Sequence, residues 1–243
     1  MKAMILAAGL GTRLRPLTDD RPKALVEVRG QTMLEIALQR LRACGVNQVV
    51  VNTHHYADMV RDYLASQKNF GMRIELSRED ILLDTGGGLQ KAAWFFLEDG
   101  AEAPFLLHNV DVISNIDLAR MVDFHREQGA LATLAVQPRV TARPLLFGAD
   151  GCFRGRARRE VLTHESNTQA LAFCGIHVIS TRIFARLNET GAFSIIDSYV
   201  RLAAEGEKIT AFRADDYYWR DLGRPENIEQ AARDLASGAV SLT

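Results

Sequence analysis

Residues 3–8, Ala-Met-Ile-Leu-Ala-Ala, form an unbroken apolar run that stops at Gly9. A run without polar alternation has no face to give to water. It suits a strand covered on both sides, as at the centre of a parallel sheet. Such a strand needs covering helices, and the sequence supplies them in turn. Leu34, Leu38 and Leu41 fall at helical spacing, with Gly45 placed to stop the helix. Residues 48–53 (QVVVNT) are β-branched and read as a strand, and Met59, Val60, Tyr63 and Leu64 mark a second helical stripe. The pattern then predicts a strand over 73–77, a helix over 89–97, a strand over 105–110, a helix over 118–128 and a strand over 131–136. Strands alternating with helices imply βαβ units. The later part changes character. Residues 145–147 and 152–153 flank Ala149-Asp150-Gly151, a hairpin signal, followed by a strand over 172–179, a helix over 195–204 and a strand over 209–212. Pro225 opens a last helix. The expected fold is α/β: a Rossmann-like, mainly parallel mixed sheet flanked by helices, with a smaller lid-like region in the second half.

Charge narrows the partners. Lys plus Arg number 29 against 30 Asp plus Glu, a net charge of −1, which asks for neither a nucleic acid nor an anionic membrane surface. No apolar run approaches the ~20 residues of a membrane span. The apolar start is too early and too short for a signal peptide. Cys44, Cys152 and Cys174 stand apart without metal-site spacing, which suits a reducing cytoplasm.

The chemistry-bearing motifs follow the strand ends. Gly9 and Gly11 let backbone N–H groups approach an anion, and Arg13 and Arg15 add permanent charge. Leu14 sits where a dinucleotide fingerprint needs its third glycine, and the Gly-Lys-Ser/Thr end of a P-loop is missing. Pro22 stiffens the chain before Lys23, a second cation able to act as a point charge on phosphate. Asp84-Thr85-Gly86-Gly87-Gly88 precedes a helix, and three glycines there leave N–H groups exposed and keep side chains out of the way. Asp111 ends an apolar strand, where α/β sheets place ligands.

The stretch LAAGLGTRLRPLT, followed by RPKALVEV, resembles the N-terminal signature of the sugar-1-phosphate nucleotidylyltransferases, LAAG-x-GTR-L-x-P-LT and then P-K-x-L. The resemblance covers nearly the whole chain. It implies a nucleotide-binding half over 1–138 and a sugar-phosphate-binding half over 139–243 of a single domain. It implies a nucleoside triphosphate over the first loop, bound by Leu6, Ala8, Gly9, Gly11, Thr12, Arg13 and Lys23, with Thr85, Gly86 and Gly87 completing that site. Arg13 and Lys23 take the catalytic roles. Asp111 matches the family's metal-binding aspartate, although Val110 stands where the family has glycine. Asp221, in Trp219-Arg220-Asp221-Leu222-Gly223, matches the second ligand of Mg²⁺. Asn109, Gly175 and Asp221 fall on the sugar side. The implied reaction joins an NTP to a sugar 1-phosphate and releases pyrophosphate.

The Thr-Gly-Gly-Gly form is similar to the short N-acetylmuramate-1-phosphate uridylyltransferases of cell-wall recycling, which favours UTP. Three adjacent glycines are expected to leave room for a bulky sugar substituent. Mannose- or heptose-1-phosphate guanylyltransferases share the loop and the lysine element and are the alternative. A GT-A glycosyltransferase predicts Asp-x-Asp, but Val112-Ile113 follow Asp111. An inactive sugar-nucleotide-binding relative is suggested only by Val110. The chain ends soon after its last expected helix, so an appended acetyltransferase is not expected. Asn52 and His54 share a strand face and are candidate pocket residues, whereas His54 and His55 point apart. His177 is expected as a satisfied strand residue. Glu160 and Glu165 lie in a charged loop where selectivity could sit. The sequence assigns no oligomeric state.

Overall fold

The computed structural model describes residues 1–100, 103–157, 168–238, 240 and 241; Glu160 and Glu165 lie outside them. The first apolar run forms strand β1 (Lys2–Leu6). A short hairpin, β2 (Glu27–Val28) and β3 (Gln31–Thr32), leads into helix α1 (Met33–Ala43), whose N-cap Thr32 accepts from the Glu35 N–H at 3.0 Å. Then come β4 (Gln48–Thr53), α2 (Ala57–Ser66) and β5 (Arg73–Arg78). The helix expected over 89–97 starts earlier, at Asp84, so that it takes in the three glycines, and breaks at Ala92 into α3 (Asp84–Lys91) and α4 (Ala93–Leu97). Next follow β6 (Phe105–Asn109), β7 (Val112–Ser114), α5 (Leu118–Gln128) and β8 (Ala132–Gln137). The predicted hairpin is β9 (Leu145–Gly148) and β10 (Phe153–Arg156). The chain closes with β11 (Thr168–Ile179), α6 (Ile195–Ala204), β12 (Ile209–Arg213), β13 (Trp219–Asp221) and α7 (Pro225–Ala236).

Nine of these strands make one sheet. Its main path runs β10-β9-β11-β6-β1-β4-β5, and β8 joins β11 to β12. β1 is parallel to both neighbours, with Met4 opposite Val50 and Leu107. Its side chains alternate between two cores. Ala3 and Ile5 face a cluster with Leu34, Leu38 and Leu41, while Met4 faces another with Leu89, Phe95 and Tyr199. Each fully buried aliphatic contributes about 1.5–3 kcal/mol to holding both layers on the sheet.

The sheet is mixed because of β11, which runs antiparallel to β6, β8 and β9. Residues beyond 138 therefore enter the middle of the sheet. Its register against β8 shifts between Phe173 and His177, where Gly175 takes φ +75°, open to glycine at little steric cost. His177 is buried on β11 with Nδ1 3.2 Å from the Tyr199 hydroxyl. No helix of the described residues is long and apolar enough to cross a membrane.

Candidate active site

A cavity of about 470 Å³ opens beyond the carboxyl ends of β1, β4 and β6, the place where open α/β sheets receive ligands. Its floor is the loop after β1. Nothing lies within 4 Å of where a Gly9 Cβ would be, so that backbone is bare toward the cavity. Gly11 has φ +65° and caps a 3₁₀ turn over Thr12–Leu14. Leu14 is buried and anchors the turn, which leaves Thr12 and Arg13 outside. Arg13 has no hydrogen-bond or ion-pair partner among the described residues.

The loop is pinned from behind by a buried relay. The Ala7 N–H donates to Asn52 Oδ1 at 2.7 Å, and Asn52 Nδ2 donates to Glu79 Oε1 at 2.7 Å. Glu79 Oε2 accepts from the Leu83 N–H at 3.0 Å. Glu79 is 2 % exposed, yet no cation pairs with it among the described residues, so its carboxyl oxygens rest on N–H donors alone. Both side chains line the cavity. Asn52 was legible as a pocket candidate; Glu79 was not, because nothing in an isolated acidic residue marks it as buried. His54 turns its Nδ1 onto the Glu79 carbonyl at 2.8 Å and does not line the cavity.

The two expected metal-binding carboxylates converge through a small ladder. β7 pairs with β13 so that Asp221 lies opposite Val112, and the Leu222 N–H donates to the Asp111 carbonyl at 2.7 Å. Lys23 Nζ donates to Asp111 Oδ2. Asp221 Oδ1 accepts from the Gly223 N–H at 2.8 Å. A Cβ on Gly223 would sit 2.6 Å from Arg13 Nη2 and 2.7 Å from Asp221 Oδ1, so glycine here lets the guanidinium and the carboxylate approach from either side. Asp111 Oδ1 and Asp221 Oδ2 have no protein donor among the described residues. That pair of hard oxygens suits Mg²⁺, which takes one or two carboxylates and completes its shell with water and phosphate. No cluster of three or more metal-ligating side chains occurs among the described residues.

Val110 does not distort this strand end. Its φ is outside the left-handed region, its N–H donates to the Leu6 carbonyl at 3.1 Å, and it is 4 % exposed in the main core. On the expected sugar side, a Cβ on Gly175 would meet Asn109 Nδ2 and Val112 Cγ2, each at 2.9 Å. Gly175 thus lets β11 lie against the Asn109 amide at the cavity edge.

The second glycine element departs from expectation. Asp84 and Thr85 line the cavity, but Gly86 and Gly87 do not. Their N–H groups donate to the Phe193 carbonyl at 2.8 and 3.3 Å, so those donors are consumed within the protein. Added Cβ atoms would lie 2.3 Å from the Phe193 ring at Gly86, 2.4 Å from the Gly191 carbonyl at Gly87 and 2.7 Å from Glu79 Oε1 at Gly88. The room that three glycines create is filled by the 191–195 segment and the Glu79 relay rather than left beside a sugar. Thr85 Oγ1 accepts from the Ile195 N–H at 3.0 Å and completes the clasp. Of the residues expected to bind nucleotide, sugar or metal, Leu6, Ala8, Gly9, Lys23, Thr85, Asn109 and Asp111 meet in the cavity, while Gly11, Thr12, Arg13, Gly175 and Asp221 are not part of its lining.

A family model described as nucleotidyl transferase matches residues 2–238. The chain is 34% identical to an N-acetylmuramate alpha-1-phosphate uridylyltransferase of Caulobacter vibrioides, over 96% of each chain. It is 32% identical to a mannose-1-phosphate guanylyltransferase of Mycobacterium tuberculosis over 97% of its own length, and spans 65% of that enzyme. Among solved structures, a putative glucose-1-phosphate thymidylyltransferase of Bacillus anthracis superposes with a TM-score of 0.80 at 21% identity, covering 97% of this chain and 95% of that one. A UDP-glucose pyrophosphorylase complexed with UDP-glucose superposes at 0.79 and 18% identity, covering 98% of both chains. The chain belongs to the nucleotidyl transferase family, as an enzyme of the sugar-1-phosphate nucleotidylyltransferase type.

Proposed function

We propose that the protein transfers a uridylyl group from UTP to N-acetylmuramate 1-phosphate or a closely related amino sugar 1-phosphate, releasing pyrophosphate. The observation that carries this reading is that Gly9, Lys23 and Asp111 line one cavity, with Lys23 on Asp111, while Arg13 and Asp221 approach each other across Gly223. A phosphate oxygen of the sugar 1-phosphate attacks the α-phosphorus in line. The bond from the α-phosphorus to the bridging oxygen breaks, and its electrons leave on pyrophosphate. The nucleophile is already anionic, so no strong general base is required. Positioning and charge neutralisation supply the rate.

Arg13, unpartnered at the mouth, holds the triphosphate and the leaving pyrophosphate. Lys23 exchanges Asp111 for phosphate as the nucleotide enters, one anion for another. Asp111 and Asp221 would hold Mg²⁺, which when bound would neutralise phosphate charge. Glu79 and Asn52 fix the loop. The buried Glu79 acceptor also suits a base with an imino N–H, which uracil and guanine carry and adenine and cytosine lack. The 34% identity with the Caulobacter uridylyltransferase, end to end, supports uracil and the muramate sugar.

Pyrophosphate release across four NTPs and a panel of sugar 1-phosphates tests this directly. The expected optimum is UTP with N-acetylmuramate 1-phosphate. Release only with GTP and mannose 1-phosphate would replace the substrate pair and leave the reaction class intact. Binding of a sugar nucleotide without release in any combination would leave an inactive relative.

A further inference from the structure

Arg139 follows β8 and carries a positive charge that the fold has fixed but not neutralised. Its guanidinium lies over the Trp219 ring, 3.6 Å from the centroid, and one Nη donates to the Phe173 carbonyl. Nε is buried with no hydrogen-bond partner. No carboxylate lies within ion-pair distance among the described residues. Other partly buried arginines differ: Arg201 has Glu189 at 3.0 Å and Arg220 has Asp234 at 2.9 Å. A half-buried guanidinium stacked on indole and left without a counter-ion has lost water without gaining an anion.

Its position gives that charge a use. Trp219 and Asp221 are two residues apart on β13, so their side chains leave the same face with Cα atoms about 6–7 Å apart. Trp219 Nε1 donates to the Cys174 carbonyl at 2.7 Å, next to Gly175, which packs on Asn109. The platform does not itself line the cavity, but it is tied to the cavity's edge through Cys174, Gly175 and Asn109, and it shares a strand with Asp221.

We infer that the Arg139–Trp219 pair is a subsite for a second anionic group, a carboxylate on the sugar ring of the sugar 1-phosphate. Nε is sealed and one Nη is on the Phe173 carbonyl, so the edge left for a carboxylate is the one between the two Nη groups, which the indole beneath holds still. This assignment deepens the proposed function and rests on it for the sugar's orientation. N-acetylmuramate bears a lactyl carboxylate where N-acetylglucosamine has a hydroxyl.

Two matched substrate pairs test the subsite: N-acetylmuramate against N-acetylglucosamine 1-phosphate, and glucuronate against glucose 1-phosphate. Each is assayed by steady-state pyrophosphate release with UTP and with GTP. The wild type is expected to favour the carboxylate-bearing member of at least one pair. Arg139→Gln is expected to raise KM for that member about ten- to a hundredfold, as for loss of a charged hydrogen bond, with kcat held within about threefold. Its effect on the neutral member should stay within about threefold. Arg139→Lys, which keeps charge but not the fork, should fall between. Equal losses on both members of a pair would make Arg139 a structural prop for Trp219 and overturn the subsite. So would a wild type with no preference for the carboxylate in either pair, even with the transferase reaction intact. Preference for glucuronate but not for muramate would keep the subsite and remove the muramate substrate.

Discussion

The chain has two glycine-rich elements after strand ends, and they do opposite things. At Gly9 the missing side chain faces empty space that a nucleotide can fill. At Gly86 and Gly87 it faces the Phe193 ring and the Gly191 carbonyl. One element keeps protein out and the other lets protein in. The first is then expected to bear on rate and the second on stability, although both look alike in composition.

The contrast breaks most sharply at Arg13. Arg13→Ala should lower turnover on the order of 10²–10³-fold, as for a charge that acts mainly in the transition state, and leave the unfolding midpoint where it is. Asp221→Asn should cost at least about 10²-fold at saturating Mg²⁺. A melting shift matching the loss of rate in Arg13→Ala would mean the first loop is structural too.

Gly87→Ala comes next. Its Cβ would meet backbone at 2.4 Å, and such overpacking costs typically about 1–3 kcal/mol, read from the urea midpoint at unchanged slope. Gly86→Ala meets the Phe193 ring first, with the Ile195 N next at 3.0 Å, so adding Phe193→Ala should recover most of the loss from Gly86→Ala, whereas it should not rescue Gly87→Ala. Equal rescue of both would show that the carbonyl contact is not the limiting one.

Acid should separate stability from rate on the buried side. Desolvation lowers His108 and His125 to about 4 and His177 to about 3, below their ordinary 6.5. The unfolded chain therefore binds more protons between pH 6.5 and about 4. Stability is fully present above 6.5 and is lost as pH falls through that window. Urea unfolding at pH 5 should give a free energy lower than at pH 7 by more than about 1 kcal/mol, and His125→Gln should shrink the difference. A flat profile would mean that these rings are not held neutral. The smallest effect belongs to Gly9→Ala. With open space around it, stability should move by no more than about 0.5 kcal/mol, while KM for the nucleotide rises. A destabilised Gly9→Ala would erase the contrast between the two elements.

Much of this was legible. The 3–8 run, the helical stripes and the hairpin at Ala149-Asp150-Gly151 became β1, α1, α2, α5, α6, α7 and the β9–β10 pair. Periodicity reports which face is buried, and a strand between two helical layers has a plain signature. The use of Gly86 and Gly87 was not legible, because a glycine says only that a Cβ is unwelcome and not what takes its place. The relay from Ala7 through Asn52 to Glu79 joins three strand ends distant in sequence, and no local pattern marks it. The approach of Asp111 to Asp221 depends on the β7–β13 ladder and came from the family resemblance, not from spacing. The position of β11 within the sheet was equally hidden, since antiparallel partners so far apart leave no mark on their own periodicity.

That strand has a consequence for how the protein is made. On the ribosome, β1, β4, β5, β6 and β8 emerge before β11 exists, yet β11 separates β6 from β8. Until residue 179 has left the exit tunnel, the nascent sheet has two bare apolar edges and no partner for either. Such edges recruit other chains. A protein truncated at 138 should therefore collect in inclusion bodies, and full-length yield should depend on holding the early strands apart until the strand that joins them arrives.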